Sequence, residues 1–170
     1  MRQDVDIVIV LKENHRMNNN ELYMREAYKE ALKALKKNEV PIGCVIVCND
    51  KIIARAHNLR NSKKNSLYHA EVLAIHKACK KTRKWILDDC TLYVTMEPCV
   101  MCAGSILQAR IKKVVYGIPQ NRYGCVGTLM NLFTDYEFNN TPQVEKGIME
   151  AEIKQLVNDF FCDLRKNKNK

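Results

Sequence analysis

His69-Ala70-Glu71 and, further along, Pro98-Cys99-Val100-Met101-Cys102 carry the side chains of this chain best suited to chemistry. A neutral imidazole and two thiolates suit a tetrahedral zinc ion and leave its fourth position open. An open position separates a catalytic zinc from a structural one. No fourth cysteine or histidine stands beside the pair to close the site. Glu71 lies two residues after His69, near enough to carry protons for a water on the metal. The donor set His69, Cys99 and Cys102, with Glu71 as proton shuttle, therefore predicts hydrolysis by an activated water. Zinc ribbons and fingers need a second Cys pair or two histidines. A thioredoxin-like redox pair needs a βαβ setting that Cys99 lacks.

The surrounding elements must position these groups. Pro98 reads as the first residue of a helix over 98–109. That places Cys99 and Cys102 in its first turn and on one face. The positive end of the helix dipole favours thiolate there. A second helix, over 69–84, starts at His69, with Val72, Leu73, Ile75, His76 and Cys79 along it. Tyr23, Ala27, Tyr28, Ala31, Leu32 and Leu35 recur at helical spacing and predict an amphipathic helix over 21–37. Strands are predicted over 41–48 and 51–57, joined as a hairpin by Asn49-Asp50. Residues 58–67 are polar and read as a loop. A buried strand follows over 91–95 and another over 114–116. Gly124 and Gly127 punctuate a loop, and a short helix is expected over 128–133. Val144 sits in a short strand or loop. Ile153, Leu156, Val157, Phe160, Phe161 and Leu164 form the apolar stripe of a last helix and are read as core.

The chain has 170 residues, enough for one α/β domain. Residues 1–19 read as an N-terminal extension and 20–170 as the zinc-dependent domain. Lys plus Arg exceeds Asp plus Glu by 28 − 19 = 9, which favours polyanionic partners without naming one. Of the eight cysteines, six lie outside the motif: Cys44, Cys48, Cys79, Cys90, Cys125 and Cys162. They show no paired spacing and are expected to be small buried hydrophobes in a reducing cytoplasm. The apolar run at 5–11 is interrupted by Asp6 and falls short of the ~20 residues that span a bilayer. No membrane association is expected.

The order H-x-E then P-C-x-x-C is the signature of the zinc nucleobase deaminases. Longer stretches narrow the resemblance. They are Glu39-Val40-Pro41-Ile42-Gly43, Ala56-His57-Asn58, Leu92 to Gly104, Arg110-Ile111, Val114-Val115-Tyr116-Gly117 and the tail Asp159 to Arg165. With them the chain resembles the bacterial tRNA-specific adenosine deaminases of the cytidine-deaminase-like superfamily. The resemblance covers about residues 21–166. It implies a single-domain three-layer α/β/α cytidine-deaminase-like fold around a mixed sheet of about five strands. It implies zinc, one per subunit, and hydrolytic deamination of adenosine to inosine at the wobble position of a tRNA anticodon. It also implies a homodimer acting on a tRNA anticodon stem-loop in the cytoplasm. Asn58 offers a donor and an acceptor to a purine or ribose edge, and Val40 is expected in the wall of the base pocket. Two departures stand out: Asn139-Asn140 where the family has Asn-His, and Lys146-Gly147 where it has a glycine pair.

A deaminase of a free base or nucleotide, such as guanine, cytosine or deoxycytidylate, shares the zinc signature and is the alternative. A non-catalytic tRNA-binding subunit would tolerate loss of the glutamate, and Glu71 argues against it. The Lys63-Lys64 loop and the tail 165–170 are candidate RNA contacts.

Overall fold

The computed structural model describes residues 19–135 and 137–168. The extension assigned to 1–19 lies outside them except for Asn19, which opens the first helix. Nine elements follow in order: α1 (Asn19–Leu35), β1 (Gly43–Cys48), β2 (Lys51–His57), α2 (Ala70–Thr82), β3 (Cys90–Met96), α3 (Val100–Gln108), β4 (Lys113–Ile118), β5 (Gln143–Lys146) and α4 (Glu150–Lys168).

The sheet has the order β2-β1-β3-β4-β5. β1 pairs antiparallel with β2 and β3, while β3, β4 and β5 run parallel. The β1–β2 hairpin is tight because Asn49 and Asp50 both adopt positive φ, 48° and 57°. Both central residues of a type I′ turn need that conformation, and Asn and Asp tolerate it best.

Each central strand is apolar on both faces, as a sheet covered twice requires. Cys44, Ile46, Leu92, Val94, Val114 and Tyr116 face α2 and α3, which contribute Ala70, Ala74, Ala78, Ala103 and Ile106. The alternate residues Val45, Val47, Tyr93 and Val115 face α1 and α4, which contribute Met24, Ala27, Ile153 and Val157. The result is the expected three-layer α/β/α sandwich. Small residues let the layers close. A Cβ on Gly43 would stand 2.0 Å from the Ala27 carbonyl oxygen and 2.3 Å from the Ala31 nitrogen, so α1 lies directly on β1. That contact rotates the buried side of α1 toward Met24, Ala27, Ala31 and Ala34, and leaves Tyr28, Leu32 and Leu35 only half-buried.

Four expectations need correction. The helix assigned to 98–109 starts at Val100. Cys99 is its N-cap, held extended by a β-bridge to Gly124, while the Pro98 carbonyl accepts from the Cys125 N–H at 3.0 Å. No helix forms over 128–133, because backbone N–H groups there are drawn to the Glu97 carboxylate and to a Val126–Asn131 bridge. The α4 stripe is not wholly core: Ile153, Val157 and Phe160 are buried, but Phe161 and Leu164 remain 39% and 38% exposed. Among the non-motif cysteines, Cys162 is exposed and Cys48 and Cys79 are half-buried. Among the described residues, no helix is long and apolar enough to cross a membrane.

Candidate active site

α2 and α3 aim their N-termini at one point. His69 caps α2 and Cys99 caps α3, both with extended backbone and neither using its side chain to close its own helix. Their donor atoms are therefore free to turn outward. Cys102 lies in the first turn of α3, and Glu71 in the first turn of α2. Positive helix ends favour the negative charge of thiolates and carboxylate at this point.

The structure brings the three predicted ligands together. His69 Nδ1 lies 3.7 Å from Cys99 Sγ and 3.5 Å from Cys102 Sγ. All three donor atoms fall within 4.8 Å of one another. Zinc–sulfur bonds of about 2.3 Å and zinc–nitrogen bonds of about 2.0 Å give tetrahedral edges of roughly 3.5–3.8 Å. The donors fit a zinc ion in number, type and spacing. Within the triangle, Cys99 is the ready thiolate, pulled down to about 4 by the hydrogen bond from Cys102 and then by His69. Cys102 is pushed up by Cys99 and by burial. The bond to Cys99 also holds the His69 imidazole above its ordinary value.

Glu71 is 4% exposed, and its Oε2 has no hydrogen-bond partner. A buried carboxylate oxygen without a partner is costly. Burial raises the Glu71 carboxyl above the usual carboxylate range, although its own backbone N–H and His69 pull the other way. A carboxyl raised in this way holds a proton more readily, as a proton carrier must.

His69, Glu71 and Cys99 line a cleft of about 610 Å³, with Cys102 buried behind them. Val40, Asn58 and Glu71 stand in its wall, with His69 and Cys99 beside them. Asn58 is buried, and its Nδ2 donates to Glu39 Oε2 at 3.4 Å. Glu39 is itself fully buried and accepts from the Ser62 N–H at 2.6 Å. Burial opposes its charge, but the donors of Ser62 and Asn61 hold its carboxyl below the ordinary value. His57 is engaged elsewhere, with Nδ1 3.0 Å from Glu30 Oε2 and Nε2 3.0 Å from Lys37 Nζ. These contacts make it structural.

Several cleft residues escaped the sequence reading. Arg60, Arg122 and Tyr123 line the mouth, and Phe161 of α4 reaches the same wall. The signal for Phe161 was present but ambiguous, since a helical period marks burial without saying against what. Glu97 organises the loop opposite α2. It is 3% exposed, and its carboxylate accepts from the N–H groups of Gln120 at 3.0 Å, Val126 at 2.9 Å and Thr128 at 3.0 Å, and from the Thr128 hydroxyl. A Cβ on Gly124 would stand 2.4 Å from Glu97 Oε2, so glycine is required there. Asn139, Asn140, Lys146 and Gly147, the departures noted above, are not part of the cleft lining.

The fold and this donor set define a nucleobase deaminase of the cytidine-deaminase-like class. The family profile of MafB19-like deaminases matches residues 18–165. The tRNA-specific adenosine deaminase of Bacillus subtilis (strain 168) is 51% identical over 152 residues, covering 89% of this chain and 94% of that protein. The tRNA-specific adenosine deaminase of Streptococcus pyogenes serotype M1 is 44% identical, covering 86% of this chain and 85% of that protein. A solved structure from studies of A-to-I editing by tRNA:A34 deaminases at the wobble position of transfer RNA superposes with a TM-score of 0.76. It is 35% identical and covers 78% of this chain and 96% of its own. A guanine deaminase structure from Bacillus subtilis is 36% identical with a TM-score of 0.58, covering 73% of this chain and 78% of that one. The chain belongs to the family of tRNA-specific adenosine deaminases.

Proposed function

We propose that the cleft converts adenosine to inosine at the wobble position of a tRNA anticodon, with His69, Cys99 and Cys102 holding one zinc ion. The observation that carries the chemistry is the buried, unpartnered Glu71 Oε2 in the wall beside the His69–Cys99–Cys102 triangle. Identity of 51% to a tRNA-specific adenosine deaminase over nearly the whole chain supports the substrate.

The reaction consumes one water and releases ammonia. The water oxygen bonds to C6 of adenine, the C6–N bond breaks, and a carbonyl remains. Zinc, when bound, lowers the pKa of water and so supplies the nucleophile at neutral pH. Glu71 takes one proton of that water and delivers it to ring N1, where it stays, then takes the second from the new C6 hydroxyl and passes it to the amine, which leaves as ammonia while the carbonyl forms. Its raised carboxyl pKa favours accepting and returning each proton in turn. Asn58, with Nδ2 held by Glu39, directs its oxygen toward the base, and Val40 packs on the ring.

The cleft holds more than a base. Arg60 and Arg122 at its mouth suit phosphates, and Tyr123 and Phe161 offer faces for neighbouring bases. An anticodon loop gives up its base at lower cost than a duplex, where extrusion costs a few kcal/mol. Lys63 and Lys64 are exposed on the loop anchored by Glu39 and extend this basic side. Val100, Tyr123, Leu129 and Met130 around the cleft are 57%, 65%, 58% and 50% exposed. Such an apolar rim marks an interaction surface, and it supports a homodimer in which a second copy completes the RNA site. The tRNA substrate implies action in the cytoplasm.

The guanine deaminase likeness favours a free-base deaminase as the second reading. Incubating the purified protein with a tRNA pool, and separately with adenosine, guanine and cytidine, distinguishes the two. Inosine in tRNA, with negligible ammonia from the free compounds, is expected. Ammonia from a free base with no inosine in tRNA would establish the second reading instead. Light scattering at micromolar concentration tests the dimer.

A further inference from the structure

Two cysteines outside the deaminase motif are brought together by strand register. Cys48 ends β1 and Cys90 begins β3, and they lie directly opposite in the antiparallel pair. The Cys90 N–H donates to the Leu87 carbonyl at 3.1 Å, and its carbonyl accepts from the Lys112 N–H at 3.1 Å. Both main-chain groups of Cys90 thus point away from β1. Cys48 and Cys90 form a non-hydrogen-bonded pair, the kind in which Cα atoms approach to about 4.5 Å and side chains stand closest. Asp89 adds a carboxylate. Its Oδ1 lies 3.4 Å from Cys90 Sγ. The two sulfurs and this oxygen all fall within 4.8 Å of one another, as do the donors of the active site.

We propose that Cys48, Cys90 and Asp89 form a second metal site, for a thiophilic divalent cation of the zinc or cadmium class. Two thiolates and one carboxylate are a known donor mixture for such ions. Two sulfurs bound at about 2.3 Å in a tetrahedron stand roughly 3.8 Å apart, within the spacing found here. Asp89 is exposed and Cys48 half-buried, so an ion has a route in and water a place to complete the shell. The site is remote from catalysis. It sits at the start of β3, whereas Glu97, Pro98 and Cys99 follow its end, at roughly 3.3 Å per residue along the strand. An ion there ties the hairpin end of β1 to the entry of β3. Lys84 acts electrostatically on both Cys48 and Asp89 and favours their ionised, ligating forms.

The test counts metal by mass spectrometry on the full chain, stripped with chelator, kept reduced, and dialysed against zinc or cadmium. Wild type should hold a second equivalent beyond the one lost in Cys99→Ala. Cys48→Ser and the surface change Asp89→Asn should each lose or weaken that equivalent and leave the other in place. In cobalt-loaded Cys99→Ala, a sulfur-to-cobalt absorption band should remain and vanish on adding Cys48→Ser. A single equivalent in reduced wild type overturns the proposal, and so does a second equivalent indifferent to both Cys48→Ser and Asp89→Asn. A reduced protein that binds one ion and forms a Cys48–Cys90 disulfide on oxidation also overturns it, in favour of a redox pair.

Discussion

Asn58 Nδ2 donates to Glu39 Oε2 at 3.4 Å, and the same carboxylate accepts from the Ser62 N–H at 2.6 Å. One fully buried acid thus fixes both a cleft amide and the basic loop that follows it. A carboxylate only accepts, so the Asn58 nitrogen is the atom turned toward it, and the oxygen faces the other way. Glu39 is not among the cleft-lining residues; it positions Asn58, the residue proposed to meet the base.

Glu39→Gln should therefore raise KM for tRNA more than it lowers kcat. It replaces one acceptor oxygen with a donor facing N–H groups, at a cost of about 1–3 kcal/mol in stability. Steady-state kinetics and chemical denaturation check both numbers. Equal loss in kcat and kcat/KM with KM unchanged would remove Glu39 from substrate positioning.

The same residue sets a pH dependence. Its folded carboxyl lies below the ordinary 4.5. A depressed carboxylate stabilises the fold at pH above the unfolded value, and that stability is lost as pH falls through the folded value. The stability gap between wild type and Glu39→Gln should be full at pH 7 and narrow below about 4.5. Denaturation curves across pH 3 to 7 measure it; a gap that widens toward acid would contradict the assignment.

Glu71→Ala should keep the fold and bound zinc and lose deamination by about 100- to 10,000-fold, the usual worth of a positioned general acid–base group. Cys99→Ala and Cys102→Ala should instead lose tight zinc along with activity. Metal content and turnover measured on the same samples separate the two effects. Near-normal turnover in Glu71→Ala would end its role as proton carrier.

Much of this was legible in the sequence, and the reasons differ by residue. The grouping of His69, Cys99 and Cys102 was legible because metal chemistry restricts donor type and spacing severely, and the place of Glu71 beside it because it stands two residues from His69. The hairpin was legible because Asn49-Asp50 suits positive φ. Glu97 was not, because its partners Val126 and Thr128 lie 29 and 31 residues away and no local pattern announces them. Cys48 and Cys90 were read as unpaired, since only strand register makes them neighbours. The start of α3 was misplaced because Pro98 favours a first helical turn in isolation, while the bridge from Cys99 to Gly124 holds that residue extended.

Glu97→Gln should loosen the loop that forms one side of the cleft. Three N–H groups and a hydroxyl converge on this carboxylate, and an amide cannot accept from all of them. Hydrogen exchange at Gln120, Val126 and Thr128 should rise, and stability should fall by about 1–3 kcal/mol per stranded donor. Unchanged exchange at all three would mean the loop is held by its own bridges.

Arg60 and Arg122 provide the last prediction. Both line the cleft mouth and both are exposed. If each neutralises one phosphate, tRNA affinity should fall as salt rises. Arg60→Ala and Arg122→Ala should each lower the magnitude of the slope of log K against log salt by about 0.7–0.9. Binding should weaken uniformly across tRNA sequences, since phosphate contacts position the RNA without reading it. Turnover at saturating tRNA should change little, because neither guanidinium is proposed to touch the reacting base. A slope identical to wild type in both variants would move the phosphate contacts elsewhere, with Lys63 and Lys64 the next to substitute.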